Sequence, residues 1–181
     1  LFDGPLTLTN APATEDVRRM GELMKRLKTK VSYHGKRTLT IDPRPTKKTI
    51  LERELSKRLR ASVILSGPLL ARFGEITFPH PGGCVIGARP IDLFIEGFQK
   101  MGATFSEKDN LYSFKVKGEK LVGADITFKV VSVTATETFM LAAILAKGKT
   151  ILRNSALEPE VASVAEHLVK CGAKISGIGT T

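Results

Sequence analysis

The feature that most constrains this chain is that it repeats itself. Three stretches, "TLTNAPATEDVRRMGELMKRLKTKV", "ITFPHPGGCVIGARPIDLFIEGFQKMGATF" and "TILRNSALEPEVASVAEHLVKCGAKI", share one order: strand-like alternation, a loop, then apolar residues at helical spacing. Val17, Met20, Met24, Leu27 and Val31 superpose on Ile91, Phe94, Phe98, Met101 and Phe105, and again on Val161, Val164, Leu168, Cys171 and Ile175, at offsets of 74 and 70. A spacing of i, i+3, i+7 and i+10 buries one helical face, and the fifth residue of each set is expected to start a strand.

A second match aligns "ASVILSGPLLARFGEITF" (61–78) with "ATETFMLAAILAKGKTIL" (135–152) at an offset of 74. It predicts a second helix that runs through Gly74 or Gly148 into the next strand. "TLTID" (38–42) and "LYSFKV" (111–116) read as strands after the first two copies of the repeated helix. One unit is therefore strand, helix, strand, short strand, helix: an α/β chain of α+β repeats, each about 70 residues and too small to be stable alone. Units meet near residues 4, 74 and 148. The opening "LFDG" matches the helix ends "ARFG" and "LAKG", so both ends of residues 1–181 are expected to cut through a unit, as in a piece of a longer protein.

The repeat also sorts the two cysteines. Cys171 takes the place of Leu27 and Met101, which predicts a core position, since buried cysteine behaves as a small hydrophobe. Cys84 has no counterpart. Gly4 and Gly74 lie 70 residues apart whereas Val17 and Ile91 lie 74 apart, so the middle loop is four residues longer, and the extra length falls in Pro-Gly-Gly-Cys. Such a loop ahead of a helix N-terminus, which lowers a thiol's pKa, suits a reactive cysteine, although an incidental loop cysteine remains the other reading.

The net charge of +10 is the one unusual bulk property. It fits anionic substrates, nucleic acid or an anionic membrane, or simply a solvated basic face. Nucleic-acid binding is disfavoured because the cations are not interleaved with aromatics: Trp is absent and only two Tyr occur. No apolar run approaches the roughly 20 residues of a transmembrane helix, and two cysteines make no disulfide framework, which favours a cytoplasmic setting. His34, His80 and His167 are scattered, so neither a metal nor another cofactor is expected.

"RASVILSGPLLARFGEITFPHPGGCVIGARPIDLFIEGFQKMGA", together with "SVTATETFMLAAILAKGKTILRNSALEPEV" and "LVKCGAKISGIGT", resembles the UDP-N-acetylglucosamine enolpyruvyl transferases over essentially the whole chain. The resemblance implies an inverse α/β barrel domain and transfer of the enolpyruvyl group of phosphoenolpyruvate to the 3′-hydroxyl of UDP-N-acetylglucosamine, in the bacterial cytoplasm. It implies that Cys84 is the proton donor, able to form an adduct with phosphoenolpyruvate and the target of fosfomycin. Arg60 and Arg89 correspond to arginines on the anionic substrates. Pro90, Ile91, Asp92 and Leu93 match a segment along the uridine, and Val131, Ser132 and Val133 match one that meets the diphosphate.

The pattern is broken in places. Val130 stands where a lysine is expected, with Lys129 one position earlier, and Thr134 replaces a common glycine. The family's Lys-Asn pair precedes the first residue, and its aspartate base and a further arginine belong to a second domain, so this chain carries the acid without the base. The related 5-enolpyruvylshikimate-3-phosphate synthases lack the "PGGC" loop and are the nearest rival. A basic non-catalytic binding module is the rival from another class.

Overall fold

The structure, a computed structural model, describes residues 1–80 and 91–180; within that range the side chain of Arg60 is also outside the described atoms. Strand β1 (Leu6–Leu8) leads to helix α1 (Glu15–Arg26) and the hairpin β2 (Lys30–His34)–β3 (Thr38–Asp42). Helix α2 (Arg53–Arg58), a 3₁₀ helix (Arg60–Leu65) and α3 (Ser66–Phe73) follow. The order then recurs as β4 (Glu75–Pro79), α4 (Asp92–Lys100), β5 (Ala103–Lys108), β6 (Leu111–Val116), β7 (Asp125–Thr127) and α5 (Val133–Ala143). It starts a third time with β8 (Ile151–Arg153) and α6 (Pro159–Lys170).

The two complete copies build the same sheet. In each the first strand pairs with the third and the third with the second, giving antiparallel orders β1-β3-β2 and β4-β6-β5. Leu6 faces Ile41 in one sheet and Ile76 faces Phe114 in the other. Successive copies join through parallel pairing: Ile50 bridges Thr77, and β7 lies along β8 with Asp125 opposite Ile151. The expected strands 38–42 and 111–116 are β3 and β6.

The helix-to-strand junctions need a residue that tolerates positive φ, and Gly74 (φ 76°) and Gly148 (φ 95°) supply it. The two second helices differ in form. The first copy begins as a 3₁₀ helix before α3, whereas α5 is α-helical from Val133 and ends at Ala143, short of Gly148.

Helices α3 and α5 lie inside. Ser66, Gly67, Leu69, Leu70 and Ala71 are buried in α3, and Ala135, Thr136, Thr138, Phe139, Met140 and Ala142 in α5. They pack closely because Gly67 faces Thr138: a Cβ on Gly67 would stand 2.2 Å from the Thr138 carbonyl oxygen. The sheets lie outside them, with Ile76, Phe78, Tyr112, Phe114 and Val116 turned inward. Alternation along "LYSFKV" puts Tyr112, Phe114 and Val116 on one face, as a strand's period of two requires.

Cys171 corrects an expectation. It is exposed, with Sγ 3.7 Å from Nε2 of His167. Its equivalents Leu27 and Met101 are 2% and 0% exposed. All three cap the C-terminus of the repeated helix, so the alignment itself holds. The difference is the sheet: β2–β3 covers Leu27 and β5–β6 covers Met101, and no such hairpin stands beside α6 among the described residues. For the same reason Val31 and Phe105 lie in strands and Ile175 does not.

Candidate active site

The residues singled out by sequence fall in two groups. Cys84, Arg89 and Pro90 lie outside the described residues, as does the side chain of Arg60, whose backbone opens the 3₁₀ helix. Ile91, Asp92, Leu93, Val131, Ser132 and Val133 are described, and they sit at the first turns of α4 and α5.

An aromatic cluster joins α4 to α5. The Phe94 ring stacks on Phe139 at 6.0 Å, Phe98 lies 4.9 Å from Phe139, and Phe128, just ahead of α5, lies 5.9 Å from it. Gly97 makes the approach possible, because a Cβ there would meet Cζ of Phe139 at 2.2 Å. The 128–132 segment is tied on its other side to the third copy: the Phe128 N–H donates to Arg153 O, and Asn154 Nδ2 donates to Phe128 O.

Within the first turn of α4 the three residues differ. Ile91 is 8% exposed and belongs to the core, and Leu93 packs partly against that core. Asp92 alone is exposed, placed where a carboxylate complements the positive end of the helix dipole.

Ser132 is the N-cap of α5. Its hydroxyl oxygen accepts from Ala135 N–H at 3.3 Å, while its carbonyl accepts from Thr136 N–H and Thr136 Oγ. The first N–H groups of the helix have no intrahelical carbonyl to meet. Val130 and Val131 are exposed beside it.

Lys129 turns away from that end. Its Nζ lies 2.6 Å from Glu96 Oε1, one helical turn beyond Asp92, and this carboxylate holds the ammonium pKa above its ordinary value. Local spacing gave no signal for this pair, since the partner lies 33 residues earlier, on another element of the same copy.

One acid of α5 is poorly solvated. Burial, and then the nearby Glu160 of α6, push the Glu137 carboxyl above the usual range. The folded chain therefore binds a proton more readily than the unfolded one, so Glu137 lowers stability as pH rises from the unfolded glutamate value through the raised folded value. Glu137→Gln is expected to melt higher than wild type at pH 7, with the difference shrinking toward pH 4 in paired thermal melts. A constant difference across that range would contradict the assignment.

Among the described residues, no group of three or more His, Cys, Asp or Glu side chains is placed to hold a metal ion, and no helix is long and apolar enough to cross a membrane.

A repeat of strand–helix–hairpin–helix units, with helices inside and sheets outside, defines an enolpyruvyl-transferase fold. The chain matches the family of EPSP synthase (3-phosphoshikimate 1-carboxyvinyltransferase) across residues 1–181, and it belongs to that family. It is 45% identical, over 99% of its length, to a UDP-N-acetylglucosamine 1-carboxyvinyltransferase of Psychrobacter arcticus. It spans 43% of that relative.

Two solved structures share the fold at low identity. The enolpyruvyl transferase NikO of Streptomyces tendae superposes with a TM-score of 0.80 at 19% identity, over 96% of this chain and 40% of NikO. EPSP synthase of Acinetobacter baumannii superposes with a TM-score of 0.73 at 16% identity, over 98% of this chain and 41% of that one.

Proposed function

We propose that this chain forms one repeat-built domain of an enzyme that transfers the enolpyruvyl group of phosphoenolpyruvate to the 3′-hydroxyl of UDP-N-acetylglucosamine, in the cytoplasm, as the first committed step of peptidoglycan synthesis. The observation that carries this is the 45% identity, over 99% of the chain, to a protein named for that transfer. The "PGGCVIGARP" loop separates the reading from the shikimate-directed relatives.

In this reading Cys84 donates a proton to the methylene carbon of phosphoenolpyruvate while the sugar hydroxyl oxygen bonds to the neighbouring carbon. The tetrahedral intermediate then loses a proton from the new methyl group and its carbon–oxygen bond to phosphate breaks. A thiol suits the first step, because it gives up a proton near neutral pH and is stable as thiolate. Arg60 and Arg89 bind the anionic groups with their planar forks. Pro90 to Leu93 line the uridine. Ser132, with the backbone of Val131 and Val133, meets the diphosphate through the N-terminus of α5. The basic excess of the chain draws two anionic substrates toward this end. The base for the 3′-hydroxyl comes from the remaining length of the enzyme.

The test is mass spectrometry of the folded chain after exposure to fosfomycin, with and without UDP-N-acetylglucosamine. The expected result is modification at Cys84, increased by the nucleotide sugar, with Cys171 untouched. Cys171 is exposed and makes a stringent internal control. Equal modification of both thiols would make Cys84 merely accessible and remove the support for its role.

A further inference from the structure

The first copy of the repeat carries nearly all of the excess charge, and it holds a gap that the second copy fills. Residues 1–74 contain 16 of the 28 Lys and Arg but only 7 of the 18 Asp and Glu, so nine of the ten net positive charges lie there. In the second copy Phe98 meets Phe114 at 5.1 Å and Phe139 at 4.9 Å, and the three side chains are at most 1% exposed. The repeat and the strand register put Met24, Ile41 and Leu65 at those positions in the first copy. These smaller side chains are half-buried, and all three line a groove of about 240 Å³ between the first sheet, α1 and α3. The polar side chains on its walls, Thr29, Thr46 and Arg72, are already engaged: the two hydroxyls lie 2.7 Å apart, and Arg72 donates to Phe2 O.

One rim of the groove is basic. Lys25, Arg26, Lys28 and Lys30 are exposed and are interleaved in the chain with the lining residues Met24, Leu27 and Thr29. Arg44, Lys47 and Lys48, also exposed, flank the lining residues Pro43 and Thr46. The two stretches are tied together, because the backbone N–H groups of Lys47 and Lys48 both donate to Leu27 O. Arg44 pairs with Asp42 at 2.7 Å; among the described residues none of the other six cations makes a salt bridge.

We propose that this groove binds a single-chain anionic amphiphile, a fatty acid taken from solution, with the acyl chain inside and the carboxylate over the cations of 25–30 and 44–48. The hydrophobic effect drives the chain into the unfilled space. The unpaired cations then draw the head group to the rim and set its sign. A concave wall receives a chain, whereas lying on a bilayer requires an apolar face that enters it. The site stands at the C-terminal end of α1, while residues 91–93 occupy the first turn of the equivalent helix α4, so it is independent of the enolpyruvyl-transfer reading.

The experiment follows the four methionine methyl signals by NMR while the methyl-labelled chain is titrated with laurate below its micelle concentration. The Met24 signal is expected to shift and to saturate at one laurate per chain, while Met101 and Met140, buried outside the groove, stay put. Dodecyltrimethylammonium, with the same chain and the opposite head charge, leaves Met24 unmoved. Leu65→Phe, which restores the ring of the second copy, abolishes the shift. The quadruple variant Lys28→Gln, Lys30→Gln, Lys47→Gln and Lys48→Gln binds laurate at least about tenfold more weakly. It alters only exposed side chains, so it decides the matter even where Leu65→Phe does not fold. A Met24 signal that ignores laurate, or a quadruple variant with wild-type affinity, overturns the proposal. So does a shift produced by phosphatidylglycerol vesicles and not by laurate, which would make the corner a membrane contact. A shift produced by protein concentration alone would seat a second copy in the groove and overturn it equally.

Discussion

Phe139→Ala is expected to destabilise the protein by about 3–5 kcal/mol, the range for deleting a buried phenylalanine. Phe139 is 0% exposed, and its ring meets Phe94, Phe98 and Phe128 at once. Removing it leaves a cavity that none of the three fills, because each is held by its own element: Phe94 and Phe98 by α4, Phe128 by the chain pairing with Arg153. A loss of this size is a large share of the roughly 5–15 kcal/mol that holds a domain folded. The ring joins the middle of α5 to α4 and to the chain ahead of α5. Phe139→Leu, closer in volume, is expected to lose clearly less. Urea denaturation of the three proteins measures both, and a loss below about 1 kcal/mol for Phe139→Ala would mean the two helices are not joined through this ring.

Gly67→Ala carries the second large effect, for the opposite reason. The added methyl would stand 2.2 Å from the Thr138 carbonyl oxygen and 3.1 Å from its carbon. These are backbone atoms of α5, so α3 and α5 must separate rather than a side chain rotate away. Overpacking of this kind costs about 3 kcal/mol. Higher helix propensity of alanine offsets about 1 kcal/mol, leaving a net loss of about 2 kcal/mol. Gly118 has open space around it, and Gly118→Ala serves as the neutral control, expected within about 0.5 kcal/mol of wild type. A Gly67→Ala chain as stable as wild type would show that the inner helices are not in close contact.

Much of the fold is legible in the order of residues. The spacing of Ile91, Phe94, Phe98 and Met101 buries one face of α4 as expected, and "TLTID" and "LYSFKV" are the third strands of the two sheets. Matching Gly74 to Gly148 finds both junctions because positive φ is a local demand that glycine meets cheaply. The segments 91–93 and 131–133, singled out in the sequence, lie at the starts of α4 and α5.

Three features are not legible, and each involves a partner distant in sequence. Lys129 is neutralised by Glu96 on α4, a pairing that local spacing cannot encode. His80 rests on Tyr112 across a sheet. Cys171 occupies a helix position whose equivalents are core, yet it is exposed, because burial belongs to the sheet that covers a helix end and not to the helix.

The sequence by itself determined the repeat, the order of its main strands and helices and the inward face of α4 and β6, since these follow from backbone periodicity and from residues that set φ. Only the tertiary structure decided which helices adjoin, which charges neutralise one another and that the Cys171 thiol is exposed. Those depend on distances between elements, and these distances are set by the packing of Phe139 and by the absence of side chains at Gly67 and Gly97.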